Sequence, residues 1–421
     1  MVTRPASEET TLAQQSRSNE VYAVTVLALG FGLVGVDRYL ISTLFPLIAR
    51  DLHLGYADIG TITGALSIAW GLAALVAGNL SDSVGRRRVL VSSLVAFGLM
   101  IGASGLARSL AGLVAVRVLM GFADGAYTPA SISATLAASA PGRRGRNIGV
   151  QQMTLTLFGL GIAPLLVAAL LRVIEWRWIF SIFVIPALLL AWITRRVIRD
   201  PQRPPVETRR NPLADWRTVL RYPNVRILML GMLCWLTCLV TTSALLPSYF
   251  LDHLGLRYGQ MSWVMSGIGF GSAAGTLLLP WLSDHTGRRP IMILCTLGAG
   301  VSLLCLASLS GASVVALFAS LFGVHFFNNA LITLTVGPAC AESVPPTLIA
   351  TASGVIIAVG ELFGGGLAPM IAGQAAQRFG IAHVLWLPVG ALAVGVLLCL
   401  RLRLPPESAA PGSARPFTGG S

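Results

Sequence analysis

The sequence predicts an all-α membrane protein of twelve transmembrane helices, built as two pseudo-symmetric halves of six. Three observations carry that reading. Composition is the first: 55% of the 421 residues are hydrophobic and only 11% are charged, where soluble domains carry about 25% charged residues. The second is a succession of apolar runs of about 20 residues, each long enough to cross about 30 Å of hydrocarbon. The third is an internal repeat, in which one loop sequence and one stretch within a span of the first half recur in the second.

In chain order, residues 1–20 form a polar tail without the basic-then-apolar layout of a signal peptide, so the first span itself directs insertion. The expected spans of the first bundle, within 21–195, are 21–48, 57–79, 89–107, 110–138, 148–171 and 178–195. A linker over 196–223 is rich in Arg and Pro, and a short amphipathic helix around Leu213–Leu220 suits the membrane surface. The second bundle, within 224–402, has expected spans 224–251, 260–283, 290–309, 313–340, 349–376 and 381–401. The tail over 403–421 is rich in Pro, Gly, Ser and Ala and is expected to be disordered.

The net charge of +13 comes from thirty Arg and no Lys. Nineteen of these Arg fall in the even-numbered loops, the linker and the end of the last span, and six fall in the odd-numbered loops. By the positive-inside rule both termini are cytoplasmic, in what is expected to be a bacterial inner membrane. The basic balance thus reports topology, and no nucleic-acid partner is expected. The six cysteines lie in or at the edges of apolar runs, and none has metal-ligand spacing.

The repeat is specific. Gly78-Asn-Leu-Ser-Asp-Ser-Val-Gly-Arg-Arg-Arg88 lies between spans 2 and 3, and Pro280-Trp-Leu-Ser-Asp-His-Thr-Gly-Arg-Arg-Pro290 lies between spans 8 and 9. Phe158-Gly-Leu-Gly-Ile-Ala-Pro164 is echoed by Phe363-Gly-Gly-Gly-Leu-Ala-Pro369 at almost the same offset. On these residues the chain resembles the major facilitator superfamily over essentially its whole length. The resemblance implies that two six-helix halves rock about a midplane site. It also implies that Gly78, Asp82, Gly85, Arg86 and Arg87, with Asp284 and Arg288, form a cytoplasmic latch between the halves.

Charges inside apolar spans are the candidate functional residues, since each costs about 2.5–3.5 kcal/mol at the centre of a helix on insertion scales. Span 1 contains Gly35-Val36-Asp37-Arg38-Tyr39. Asp37 and Arg38 are about 100° apart on a helix, so one is expected to face the cavity while the other pairs sideways, for example with span 4. In span 4, Arg117 and Asp124 are seven apart on one face, about 10.5 Å along the axis, with Tyr127 and Thr128 nearby. Span 7 carries Thr237, Thr241, Thr242 and Ser243, and span 10 carries His325, Asn328 and Asn329. Glu361 lies in span 11 beside Gly364-Gly365-Gly366, with coupling, gating or pairing to an interfacial Arg all open to it. Spans 1, 4, 7 and 10 line the central cavity in the superfamily that the chain resembles.

There is no phosphate-binding glycine loop before a Lys and no cluster with metal-ligand spacing, so an enzyme and an ATP-driven pump are both disfavoured. No cofactor is expected beyond a proton gradient. Asp37, Asp124, Arg38 and Arg117 sum to zero charge, and protonating one Asp leaves one Arg free to receive an anion. The Asp37-Arg38 pair, and Arg117 with an acid seven residues later, resemble the anion:cation symporter branch, where Glu stands in place of Asp124. That resemblance implies anion binding by Arg38 and proton coupling by Asp37 and Asp124, with Arg117 paired to an acid. The expected substrate set is Arg38, Tyr39, Tyr127, Thr241, His325, Asn328 and Asn329, and the coupling set is Asp37, Arg117, Asp124 and Glu361. The partners are a small organic anion, protons and the bilayer, with a monomer expected. A proton-driven drug exporter is the alternative, since Arg117-x-x-x-Gly121 also fits exporters, but Ala163-Pro164-Leu165-Leu166 lacks their span 5 pattern. A transporter-like receptor is a more distant reading.

Overall fold

The computed structural model describes residues 6–198, 212–309 and 313–404, and among them the regular structure is entirely helical. Twelve segments are long and apolar enough to cross a membrane. Spans 1–6 are Arg17–Leu52, Tyr56–Ala74, Arg86–Leu106, Leu110–Ala138, Pro141–Leu170 and Trp176–Val197. Spans 7–12 are Pro223–His253, Tyr258–Thr286, Arg288–Ser308, Val314–Ala341, Pro346–Phe379 and Ile381–Arg401. Each expected span is matched, with differences confined to the ends. The first helix starts at Ala6, inside the expected tail, and the second runs on to Val84. Hydropathy marks the stretch that crosses hydrocarbon, whereas helical hydrogen bonding continues into the polar interface. A helix over Pro212–Val219 occupies the described part of the linker.

The sequence repeat is also a structural one. Gly85 and Gly287 hold corresponding places in the two loop motifs, each just before the next helix, with φ of 102° and 90°. That conformation is accessible to glycine and strained for other residues. In the second echo, Leu157–Ile162 and Gly360–Leu367 are π-helical turns, each followed by Ala-Pro at the resumption of the α-helix. The π turn of span 5 packs on span 8 of the other half, and the π turn of span 11 packs on span 2. Two pseudo-equivalent seams therefore join the halves, and spans 1 and 7 meet between them.

These seams depend on missing side chains, because in lipid helix association rests on close packing rather than on water exclusion. Gly161 of span 5 lies against Gly269 of span 8, and Gly64 of span 2 lies against the Gly366 carbonyl of span 11. At the end carrying residues 53–55 and 254–257, polar ties cross between halves. The Tyr56 hydroxyl donates to Asp252 (3.0 Å), the Tyr56 amide donates to Gln377 (2.8 Å), and the Tyr258 hydroxyl donates to the Thr43 carbonyl (2.8 Å).

At the Gly85 and Gly287 end, the described ties close within one half. Arg143 and Asn147 hold Glu20 in the first half, and Arg86 donates to the Ser133 carbonyl (3.4 Å). In the second half Arg288 pairs with Asp284 and with Glu342, and Arg289 donates to the Leu400 carbonyl. Of the latch residues, Gly85, Arg86 and Arg87 stand at the turn, while the side chain of Asp82 and the surroundings of Gly78 lie outside the described residues.

Candidate functional site

Asp37 and Arg38 are consecutive on a helix and must point to different neighbours. Asp37 turns to span 4 within its own half. Arg117 donates to the Asp37 main-chain carbonyl at 2.8 Å, and its guanidinium is 3.8 Å from the Asp37 carboxylate. A second Arg117 nitrogen reaches the Ser104 hydroxyl of span 3 at 3.4 Å. Arg38 instead crosses to the other half. Its Nη1 and Nη2 donate to the two carboxylate oxygens of Glu361 in span 11 at 3.1 and 2.7 Å, and Nη2 also donates to Ser67 of span 2 at 3.1 Å.

The Arg38 guanidinium lies 4.4 Å from the Trp70 ring centre and 5.7 Å from that of Tyr39. A two-pronged pair stacked on an indole is a geometry that guanidinium supports and ammonium does not. Both partners are buried, with side-chain exposures of 6% and 8%. Glu361 thus pairs with an Arg inside the membrane, rather than with an interfacial one.

Asp124 is fully buried in span 4, and neither carboxyl oxygen has a hydrogen-bond partner among the described residues. The Asp37 carboxyl oxygens likewise accept no hydrogen bond within range. Two acids without donors in an apolar interior are unusual, because buried polar groups are nearly always satisfied. A narrow cavity of about 10 Å³ touches Arg38, Tyr39, Ser42, Ser67 and Arg117 of the first half and Val240 and Ser243 of span 7, which is about the space of one water.

The other expected residues divide. In the second half, His325 Nε2 is 3.2 Å from the Thr242 hydroxyl, while its Nδ1 has no partner among the described residues. Asn328 donates to the Trp235 carbonyl at 3.1 Å and leaves its own oxygen unpartnered, as are the Thr237 and Thr241 hydroxyls. These groups form a neutral polar set on spans 7 and 10. Asn329 turns away to Ser272 of span 8 at 2.5 Å. Tyr127 is placed apart from the expected substrate set: its ring packs between Phe31 and Phe97, with its hydroxyl beside Gly30. Three residues beyond Asp124 it keeps the same helix face but lies about 4.5 Å further along the axis, at a level where Phe31 of span 1 and Phe97 of span 3 enclose it.

Sequence reasoning missed Ser67 and Trp70 of span 2 and Ser104 of span 3. A lone Ser or Trp inside an apolar span carries no charge cost to flag it. It also missed the arithmetic of the set, since adding Glu361 to the four balanced charges gives three acids and two Arg. The site carries one net negative charge when all are ionised. Among the described residues no cluster has the make-up of a metal site.

Comparison with known proteins agrees with this architecture. The family described as Major Facilitator Superfamily matches residues 27–356 and, in a second overlapping match, 241–419. The chain is 27% identical over 344 residues to the probable 4-methylmuconolactone transporter of Cupriavidus pinatubonensis, covering 80% of this chain and 79% of that protein. It is 27% identical over 376 residues to the 3-(3-hydroxy-phenyl)propionate transporter of Escherichia coli, covering 85% and 89%. Among solved structures, a bacterial homologue of the human lysosomal transporter Spinster superposes with a TM-score of 0.75 at 19% identity, covering 92% and 99%. The relatives are transporters rather than enzymes, and the present chain belongs to the Major Facilitator Superfamily.

Proposed function

We propose that the protein is a proton-coupled symporter that takes up a small organic carboxylate by alternating access. One observation carries the reading: a buried guanidinium, Arg38, already holds a carboxylate between the two halves, beside two buried acids that have no donors. Arg38 is then the anion site. Asp124 and Asp37 are the proton sites, since a proton is the ligand that removes the cost of a buried, donor-free carboxylate. Arg117 keeps Asp37 in place. His325, Asn328 and Thr241 supply neutral hydrogen-bonding groups to the rest of the substrate.

With the Arg-rich loops in the cytoplasm, the hydrogen bonds between halves fall on the outer side, as an inward-facing state requires. The organic-acid relatives, which match about four fifths or more of the chain, support a carboxylate as the cargo class.

The test is a thermal-shift screen of purified protein against a carboxylate panel, followed by uptake into proteoliposomes with and without an inward proton gradient. Gradient-dependent accumulation of a carboxylate, lost in Arg38→Ala, is the expected result. Accumulation that ignores the gradient would remove the proton coupling, and a carboxylate bound equally well by Arg38→Ala would remove the assignment of the anion site.

A further inference from the structure

The geometry around Glu361 points to a role beyond charge balance. We propose that Glu361 is a built-in stand-in for the substrate's carboxylate: it occupies Arg38 in the empty protein, and an incoming carboxylate displaces it as it takes up a proton. The proposal rests on Arg38 being the anion site.

Three observations converge on exchange rather than simple addition. Glu361 occupies the paired Nη1 and Nη2 donors of Arg38, and Trp70 lies against the guanidinium. A second carboxylate can obtain the same two-pronged geometry only in place of the first. Glu361 also sits in the Gly360–Leu367 π turn, ahead of Gly364, Gly365 and Gly366. Gly365 is part of the fit, since a Cβ there would press on the Glu361 carboxylate and on Ser67. Turns of this kind inside α-helices often mark functional sites.

Finally, among the described residues nothing but Arg38 offers Glu361 a positive charge. The charged and titratable groups facing it are Arg38 and Tyr39 of span 1. Span 2 presents Ser67, Trp70 and Gly71, and span 7 brings Met232 and Leu236 against Gly360. A Glu361 carboxylate displaced from Arg38 is left in an apolar setting without a cation, and binding a proton relieves that penalty.

The exchange balances. The two N–H donors of Arg38 leave the Glu361 oxygens for those of the substrate, one Glu361 oxygen takes a proton from the proton gradient, and the net charge of the site does not change. One negative and one positive charge enter together. Because Arg38 belongs to the first half and Glu361 to the second, the same step removes an ion pair that holds the halves together. Substrate binding and release of the inter-half contact are thereby one event, coupled to one proton.

The experiment has two arms. In the first, binding of galactonate, sialic acid and 3-(3-hydroxyphenyl)propionate is measured between pH 8 and pH 5. In wild type the affinity rises as pH falls, by at most about tenfold per pH unit for the one proton. Glu361→Gln, having no competing carboxylate, binds about tenfold or more tighter than wild type at pH 8 and loses that proton's share of the slope. A Glu361→Gln protein that binds more weakly than wild type overturns the exchange and makes Glu361 a positioning group for Arg38. If Arg38→Gln abolishes binding at the same time, the anion site itself stands. Retained binding in Arg38→Gln overturns the site and the exchange together.

The second arm needs no ligand. Spin labels replace Arg108 of the first half and His383 of the second in a Cys305→Ser background, Cys305 being the one exposed cysteine among the six. Glu361→Gln should populate longer distances at this end than wild type. An unchanged distance distribution overturns the ion pair as a tie between halves, and this arm decides the matter if wild type binds none of the three probes.

Discussion

Gly161 and Gly269 face each other across the two halves in an unequal way. A Cβ built on Gly161 would lie 3.5 Å from the Gly269 Cα, an ordinary contact, whereas one built on Gly269 would run into the Gly161 main chain. Gly161→Ala should therefore match wild type in thermal unfolding. Gly269→Ala must push spans 5 and 8 apart and should lose about 1–3 kcal/mol or more. Equal behaviour of the two variants in detergent melts would mean that the seam is looser than the structure has it.

Arg117 carries a structural duty at the site. It is almost fully buried and ties span 4 to the Asp37 carbonyl of span 1 and to Ser104 of span 3. Arg117→Gln leaves Asp37 without its cation and should destabilise the first half by about 3–5 kcal/mol, as breaking buried ion pairs does. Arg117→Lys keeps the charge but has no fork to reach two acceptors, so it should restore only part of the loss. Thermal unfolding of the purified variants measures both.

Asp124 is expected to behave in the opposite manner. Its carboxyl oxygens have no partner to lose, and an amide has the same shape without the ionisable proton. Asp124→Asn should melt no lower than wild type, because it breaks no hydrogen bond among the described residues and removes a buried carboxylate that no donor satisfies. Proton-driven accumulation in proteoliposomes should nevertheless fall well below wild type while counterflow exchange persists. Uphill uptake at the wild-type level would take Asp124 out of the coupling path.

The tie between Tyr56 and Asp252 offers a graded test. Tyr56→Phe deletes the hydroxyl that donates to Asp252 in the other half and leaves the Tyr56 amide bond to Gln377 in place. Loss of one net hydrogen bond, worth about 0.5–1.5 kcal/mol, should favour opening at this end a few-fold. The Arg108 and His383 label pair reads that shift. A distribution identical to wild type would show that the remaining contacts hold this end without it.

The twelve spans, the twofold repeat and the shortlist of buried charges were legible because each is a one-dimensional property of the chain. Hydrocarbon thickness sets the length of an apolar run, and a charge in such a run is conspicuous wherever it points. The echo at Phe158 and Phe363 was legible as a repeat, yet it gave no hint that both segments would be π turns packed on the opposite half. Tyr127 looked like a cavity residue from its neighbours in span 4, and packing against Phe31 and Phe97 placed it in the interior of the first half.

The pairing of the charges is where sequence reasoning stopped. From the chain alone, Asp37 and Arg38 must diverge, because consecutive helical residues point about 100° apart. That geometry does not say which of the two crosses to the other half. Only the tertiary structure decides that Asp37 stays with Arg117 while Arg38 reaches Glu361, 323 positions away. The choice depends on the rotation of each helix about its own axis, set by the glycine seams between spans 2 and 11 and between spans 5 and 8. Sequence determined which charges enter the membrane, and packing between distant helices determined which of them meet.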